Sequence, residues 1–203
     1  MGIKGMFIKD SEKISKKYFG EYNFMQNYFY EEFSVDHRFS TKDLESQPSK
    51  IALISDFLAS YYSSQFFPNP RENNKLFYSI SNLIYEILHN AFKFGRDVYS
   101  DILIHKSTAS HYMKFEIQNL TSKEIFDSSL YSLHKILDST DIQEYIKNVS
   151  DYKRNNPDKL VSGLGIAKLI TQNPVKIGAA LITDGEKYQV NFRVFLNLEH
   201  YTG

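Results

Sequence analysis

Two stretches of this chain place apolar residues at i, i+3, i+4 and i+7, the spacing of one helix face. Between Ser49 and Phe67 the apolar set is Ile51, Leu53, Ile54, Phe57, Leu58 and Tyr61, and Pro68-Asn69-Pro70 ends the pattern. Between Asn74 and Phe94 the stripe Ile80, Leu83, Ile84, Ile87, Leu88 and Ala91 is continuous, with Gly95 placed as a C-terminal glycine. Short strands are predicted at Asp101–His105 and Tyr112–Gln118, separated by a turn region over Ser107–Ser110. Ser122–Tyr152 predicts two helices broken near Asp138-Ser139-Thr140, followed by a loop at Asn155-Asn156-Pro157-Asp158. A short helix is expected over Gly163–Gln172. Strands near Lys176–Thr183 and Tyr188–Leu198 close the chain, with Asp184-Gly185 as the hairpin signal. Residues 1–27 suggest an N-terminal helix or arm whose Lys13, Lys16 and Lys17 face solvent, and residues 28–40 an edge strand.

Paired adjacent strands with helices between the pairs predict an α/β (α+β) two-layer sandwich. Its sheet is mostly antiparallel and covered on one face by helices. Strict strand–helix alternation is absent, which excludes a doubly wound parallel sheet. The expected organisation is an arm or extension over 1–48 with a possible edge strand, then one domain over 49–203. Ser122–Leu160 would form a lid over any cleft or fold into it and block it.

Composition narrows the function classes. The 203 residues carry 24 Lys+Arg against 24 Asp+Glu, so the net charge of +0 argues against a nucleic-acid partner. Cys is absent, which removes disulfides, thiolate metal sites and cysteine nucleophiles. No run is long enough to span a bilayer and no early apolar run resembles a signal peptide, so a cytoplasmic protein is expected. Position six is Met rather than the Ser or Thr of a myristoylation signal. The six histidines lack metal-ligand spacing, His89 reads as helix surface, and there is no G-x-S-x-G elbow.

Glu86, Asn90 and Lys93 lie at i, i+4 and i+7 on the strongest helix, within an arc of about 60°. A carboxylate, a carboxamide and an ammonium in one strip suit a metal–phosphate site: base, Mg²⁺ ligand and phosphate counter-charge. An amphipathic helix also carries such a strip as its ordinary solvated face. Ser162-Gly163-Leu164-Gly165 precedes the short helix, where glycines let phosphate approach backbone N–H groups at the positive end of the dipole. A tight loop would use the same glycines.

Glu86-x-x-x-Asn90-Ala91-x-Lys93, then two strands, a helical segment and Gly163-Leu164-Gly165 at a helix start, resembles the GHKL (histidine kinase-like) ATPase family. The resemblance implies a Bergerat-like fold with ATP and Mg²⁺ as cofactors. It implies Glu86 as the catalytic base, Asn90 as the metal ligand and Lys93 as a phosphate contact. Gly163, Leu164 and Gly165 would be the phosphate cradle. Asp56-Phe57-Leu58-Ala59 with Phe66-Phe67-Pro68, and Asn119 after the second central strand, extend the resemblance over about residues 50–198. The branch resembled is that of standalone SiaB-like and anti-sigma-type serine/threonine kinase regulators.

That branch implies transfer of the ATP γ-phosphate to Ser or Thr of a small STAS-like or antagonist-type partner, and is compatible with a homodimer. Asn119 stands where the family's adenine-reading aspartate lies. Its amide oxygen can still accept the adenine amino proton, but Leu120 and Thr121 replace glycines. A degenerate pseudo-ATPase acting only by protein binding, and an unrelated sandwich without a nucleotide, are the alternatives.

Overall fold

The computed structural model describes residues 14–24, 35–40, 42, 44, 49–66, 70–95, 101–109, 111–137, 141–156 and 164–201. Their elements are β1 (Ser15–Gly20), β2 (Val35–Ser40), α1 (Ser49–Ser63), α2 (Pro70–Gly95), β3 (Asp101–Ala109) and β4 (Tyr112–Thr121). Then follow α3 (Lys123–Leu137), α4 (Ile142–Asn155), α5 (Leu164–Gln172), β5 (Val175–Asp184), β6 (Lys187–Asn197) and a 3₁₀ turn at Leu198–Tyr201. The strands form one six-stranded sheet in the order β1-β5-β6-β4-β3-β2. Every neighbouring pair is antiparallel, so the expected two-layer α+β sandwich is the architecture found.

The α2 stripe does what its periodicity predicts: Leu76, Ile80, Leu83, Ile84, Ile87, Leu88 and Ala91 are all buried. They meet alternate residues of the sheet, among them Ile104, Met113, Phe115, Ile117, Val190 and Val194. The helix starts four residues before the periodic pattern, at Pro70. A proline at the first helical position loses no intrahelical bond, so Pro70 opens α2 as well as closing the preceding segment.

α1 departs from its expected face. Ile51, Ser55, Leu58, Ala59 and Tyr62 are buried, whereas Leu53, Phe57 and Tyr61 are exposed. The helix is apolar on more than one side, so spacing alone could not choose the core face. Small Ser55 and Ala59 lie on the buried side, and Ser55 Oγ donates to Ile51 O at 2.7 Å.

Of the helix or arm expected over 1–27, only residues 14–24 are described, and they form a strand and a turn rather than a helix; Lys13 lies outside the described residues. Lys16 and Lys17 sit on β1, an edge strand paired with β5 from Ser15↔Thr183 to Gly20↔Gly178. Only Phe19 of this strand is buried, so no alternation was there to read. Both lysines are exposed, as expected, and charge an otherwise open edge. The edge strand expected within 28–40 is β2, paired with β3; residues 28–34 lie outside the described set. β3 runs four residues longer than expected and β4 three, so Ser107–Ala109 is strand rather than turn. Between β5 and β6 the hairpin turns at Gly185, whose φ of 59° suits glycine.

α3 belongs to the helical layer, with Phe126, Leu133 and Ile136 in the core. α4 has no buried residue and lies against α5 and α3. Among the described residues no helix is long and apolar enough to cross a membrane.

One core position carries a charge. Lys106 on β3 is buried, with Nζ 5.3 Å from the Tyr62 ring centroid and 5.6 Å from that of Phe66. Burial pushes its pKa down. The folded protein therefore holds this proton less tightly than the unfolded chain, and stability rises with pH from the lowered pKa towards about 10.4. Lys106→Met removes that liability. The variant should gain on the order of 1 kcal/mol at pH 7, with the gain fading as pH approaches 10 in urea titrations.

Candidate functional site

α2 carries Glu86, Asn90 and Lys93 on the flank between its buried stripe and its solvent face. All three are half-buried, while Tyr78, Asn82, Tyr85 and His89 form the exposed side of the same helix. His89 stacks on Tyr85 with ring centroids 5.9 Å apart, as an exposed surface pair would. The polar strip is thus not the solvated face.

The first turn of α5 closes on that strip. A methyl group at Gly165 would overlap Glu86 Oε2, lie 2.9 Å from Glu86 Cδ and 3.6 Å from Asn90 Nδ2. Gly165 and the Glu86 carboxylate are thus neighbours, though the tip of so flexible a side chain could rotate away from a methyl group there. Asn90 Nδ2 is buried and has no hydrogen-bond partner. An orphaned amide inside a fold carries a cost of about 1–3 kcal/mol, so its retention needs an explanation. Beside it lies a cavity of ≈ 10 Å³ between Ile87, Ile166, Leu169, Phe192 and Val194, enough for no more than one water.

Lys93 has a lowered pKa, first from burial and second from the nearby Lys153 ammonium on α4. Lys93 of α2 and Lys153 of α4, about sixty residues apart in the chain, thus act on one another. Lys153 was not legible in the sequence, since only tertiary packing carries α4 to this place. Asn119 lies near the end of β4, opposite Val190, on the strand face that includes Met113, Phe115 and Ile117. It is buried, and its Nδ2 donates to Leu120 O at 3.2 Å. Its oxygen is left to accept. Leu164 and Gly165 open α5; Gly163, with Ser162, lies outside the described residues.

The structure therefore brings Glu86, Asn90 and Gly165 into contact, and sets Lys93 on the same strip. The residue types suit a magnesium–phosphate group: an amide whose buried N–H2 lacks a partner and could donate to a phosphate oxygen, a carboxylate, two cations and a glycine at a helix start. Between the Glu86 carboxylate and Gly165 themselves no space is left for it. Among the described residues no group of three or more His, Asp or Glu side chains could itself hold a metal ion.

No protein-family model matches the chain, and no curated protein matches it. Among solved structures it is similar to a chain in the crystal structure of the SiaB–SiaC complex from Pseudomonas aeruginosa. The identity is 12% and the TM-score 0.54, over 72% of this chain and 84% of that chain. At that identity the likeness is one of fold.

Proposed function

We propose that this protein is a signalling regulator that binds Mg-ATP and phosphorylates Ser or Thr of a small partner protein. The observation that carries the reading is the meeting of Glu86 and Asn90 with Gly165, residues far apart in the chain and of the types a phosphate site needs. Asn90 would offer its amide oxygen to Mg²⁺, Lys93 would neutralise phosphate charge, and the N–H groups opening α5 would face the phosphates. Glu86 would orient the attacking hydroxyl, and Asn119 would accept from the adenine amino group. ATP would supply the γ-phosphoryl group. An anion between Lys93 and Lys153 would also relieve their mutual repulsion. The neighbour's fold, crystallised as a complex of two proteins, supports a protein partner.

A second reading, a regulator that acts by protein binding alone, is favoured by one observation. Asn119 is buried with its amide tied to Leu120 O, in place of a charged adenine-reading group.

Asn90→Ala separates the two. Because its amide nitrogen has no partner to lose, the variant should be at least as stable as wild type. Mg²⁺-dependent ATP binding, measured by calorimetry, should vanish. Equal ATP affinity in wild type and variant removes the metal role. No ATP binding by the wild type at millimolar nucleotide favours the binding-only regulator.

A further inference from the structure

We propose that the outer face of the α1–α2 pair is a self-complementary dimer interface, occupied by the same face of a second copy of this chain. Among the described residues eight large apolar side chains are exposed, and five of them lie on these two helices: Leu53, Phe57 and Tyr61 of α1 and Tyr78 and Tyr85 of α2. They recur at i, i+4, i+8 and at i, i+7, so each set forms a stripe along its helix. The exposed bond from Ser81 Oγ to Asp56 Oδ1, 2.6 Å long, ties the stripes side by side. Asp56 precedes Phe57, and Ser81 lies about one turn from both Tyr78 and Tyr85. The two stripes make one face.

Area and charge choose the occupant. The five side chains are 39–69% exposed. At roughly 150–250 Å² for each large side chain, they leave on the order of 600 Å² of mostly apolar surface open. Exposed Ser60, Asn82 and His89 adjoin them and bring the face to about 800 Å², the share each partner gives to a standard interface. Among its described side chains Asp56 is the one charge inside the stripes, and it is bonded to Ser81; Lys50 and Lys75 stand a turn beyond the stripe ends. In a chain whose residues are 24% charged, such a face has little to attract a charged partner and little to repel its own copy. Two copies related by a two-fold axis lay stripe against stripe as a four-helix packing. Glu86 and Lys93 stand about 120–140° round α2 from Ser81, so the contact leaves the candidate phosphate site open and the proposal is independent of the nucleotide reading.

Sedimentation equilibrium on the full chain tests it. At about 100 µM the wild type should have twice the chain mass, and higher loading should add nothing. Phe57→Lys and Tyr85→Lys, one on each helix, should each weaken association at least ~30-fold, as loss of a central aromatic anchor does. Both side chains are exposed in the protomer, so the variants should keep the wild-type far-UV spectrum and, at low concentration, its urea midpoint. Tyr152→Lys, at an exposed position on α4, should leave the dimer unchanged. A monomer at about 100 µM overturns the proposal, as does a mass that climbs past the dimer. So does a dimer that survives either lysine variant, or one that Tyr152→Lys weakens as much as they do.

Discussion

Gly178→Ala should lower the unfolding free energy by roughly 3 kcal/mol, seen as a lower urea midpoint at unchanged slope. Gly178 lies in β5 on the sheet face away from the helices. After β1 the chain turns at Gly20, whose φ is 56°, and residues 21–24 fold back over that face. A methyl group at Gly178 would overlap the backbone N and Cα of Tyr22 and stand 2.6 Å from the Glu21 carbonyl carbon. Backbone cannot rotate away as a side-chain tip can. The turn is also tied down: Glu21 N donates to Ile177 O at 3.0 Å, and Arg193 lies 4.0 Å from the Tyr22 ring centroid. A cost under ~1 kcal/mol would show that Tyr22 does not rest on β5.

Glu116→Ala should cost about 3 kcal/mol, because it strands a cation on the same face. Glu116 and Arg193 are register partners on β4 and β6. Arg193 Nε lies 3.0 Å from Glu116 Oε2, and Arg193 Nη2 donates to Oε1 at 3.2 Å. Lys114 Nζ is 3.8 Å from the same carboxylate. These side chains are only 10–17% exposed, so water screens them little. Removing one member of a buried pair is costly because the other charge stays buried.

The variant should also be pH-sensitive. Lys114 has a pKa lowered chiefly by burial, and Glu116 pulls it back up. Without that carboxylate the folded-state pKa drops further. The unfolded chain then binds more protons, so stability rises with pH up to about 10.4. The deficit of Glu116→Ala should therefore shrink at alkaline pH without vanishing, since Arg193 keeps its charge. A deficit independent of pH would exclude Lys114 from the network.

What the sequence made legible follows from how each element is held. α2 was readable because its face is set by apolar burial, which leaves a periodic trace from Ile80 to Ala91. β1 was not, because an edge strand is held by backbone pairing, which asks little of its side chains. α1 was half readable: Leu53 and Phe57 fit the period but lie outside, and nothing local marks Ser55 and Ala59 as the buried side. At the site, the strip of Glu86, Asn90 and Lys93 follows from helix geometry alone. The contact of Glu86 with Gly165, the approach of Lys153 to Lys93 and the bond from Asn119 to Leu120 O depend on packing or rotamers. A motif contains none of these.

The pairing of β1 with β5 also sets a schedule. During synthesis β1 emerges before its partner, which follows about 160 residues later, from Ser15↔Thr183 onward. At roughly 5–20 residues per second the strand waits on the order of ten seconds or more with its hydrogen-bonding edge unmet. Closing so long a loop costs folding rate more than stability. Lys16 and Lys17, exposed in the finished sheet, are then most useful before it exists, since charge on a bare strand discourages pairing with another nascent chain.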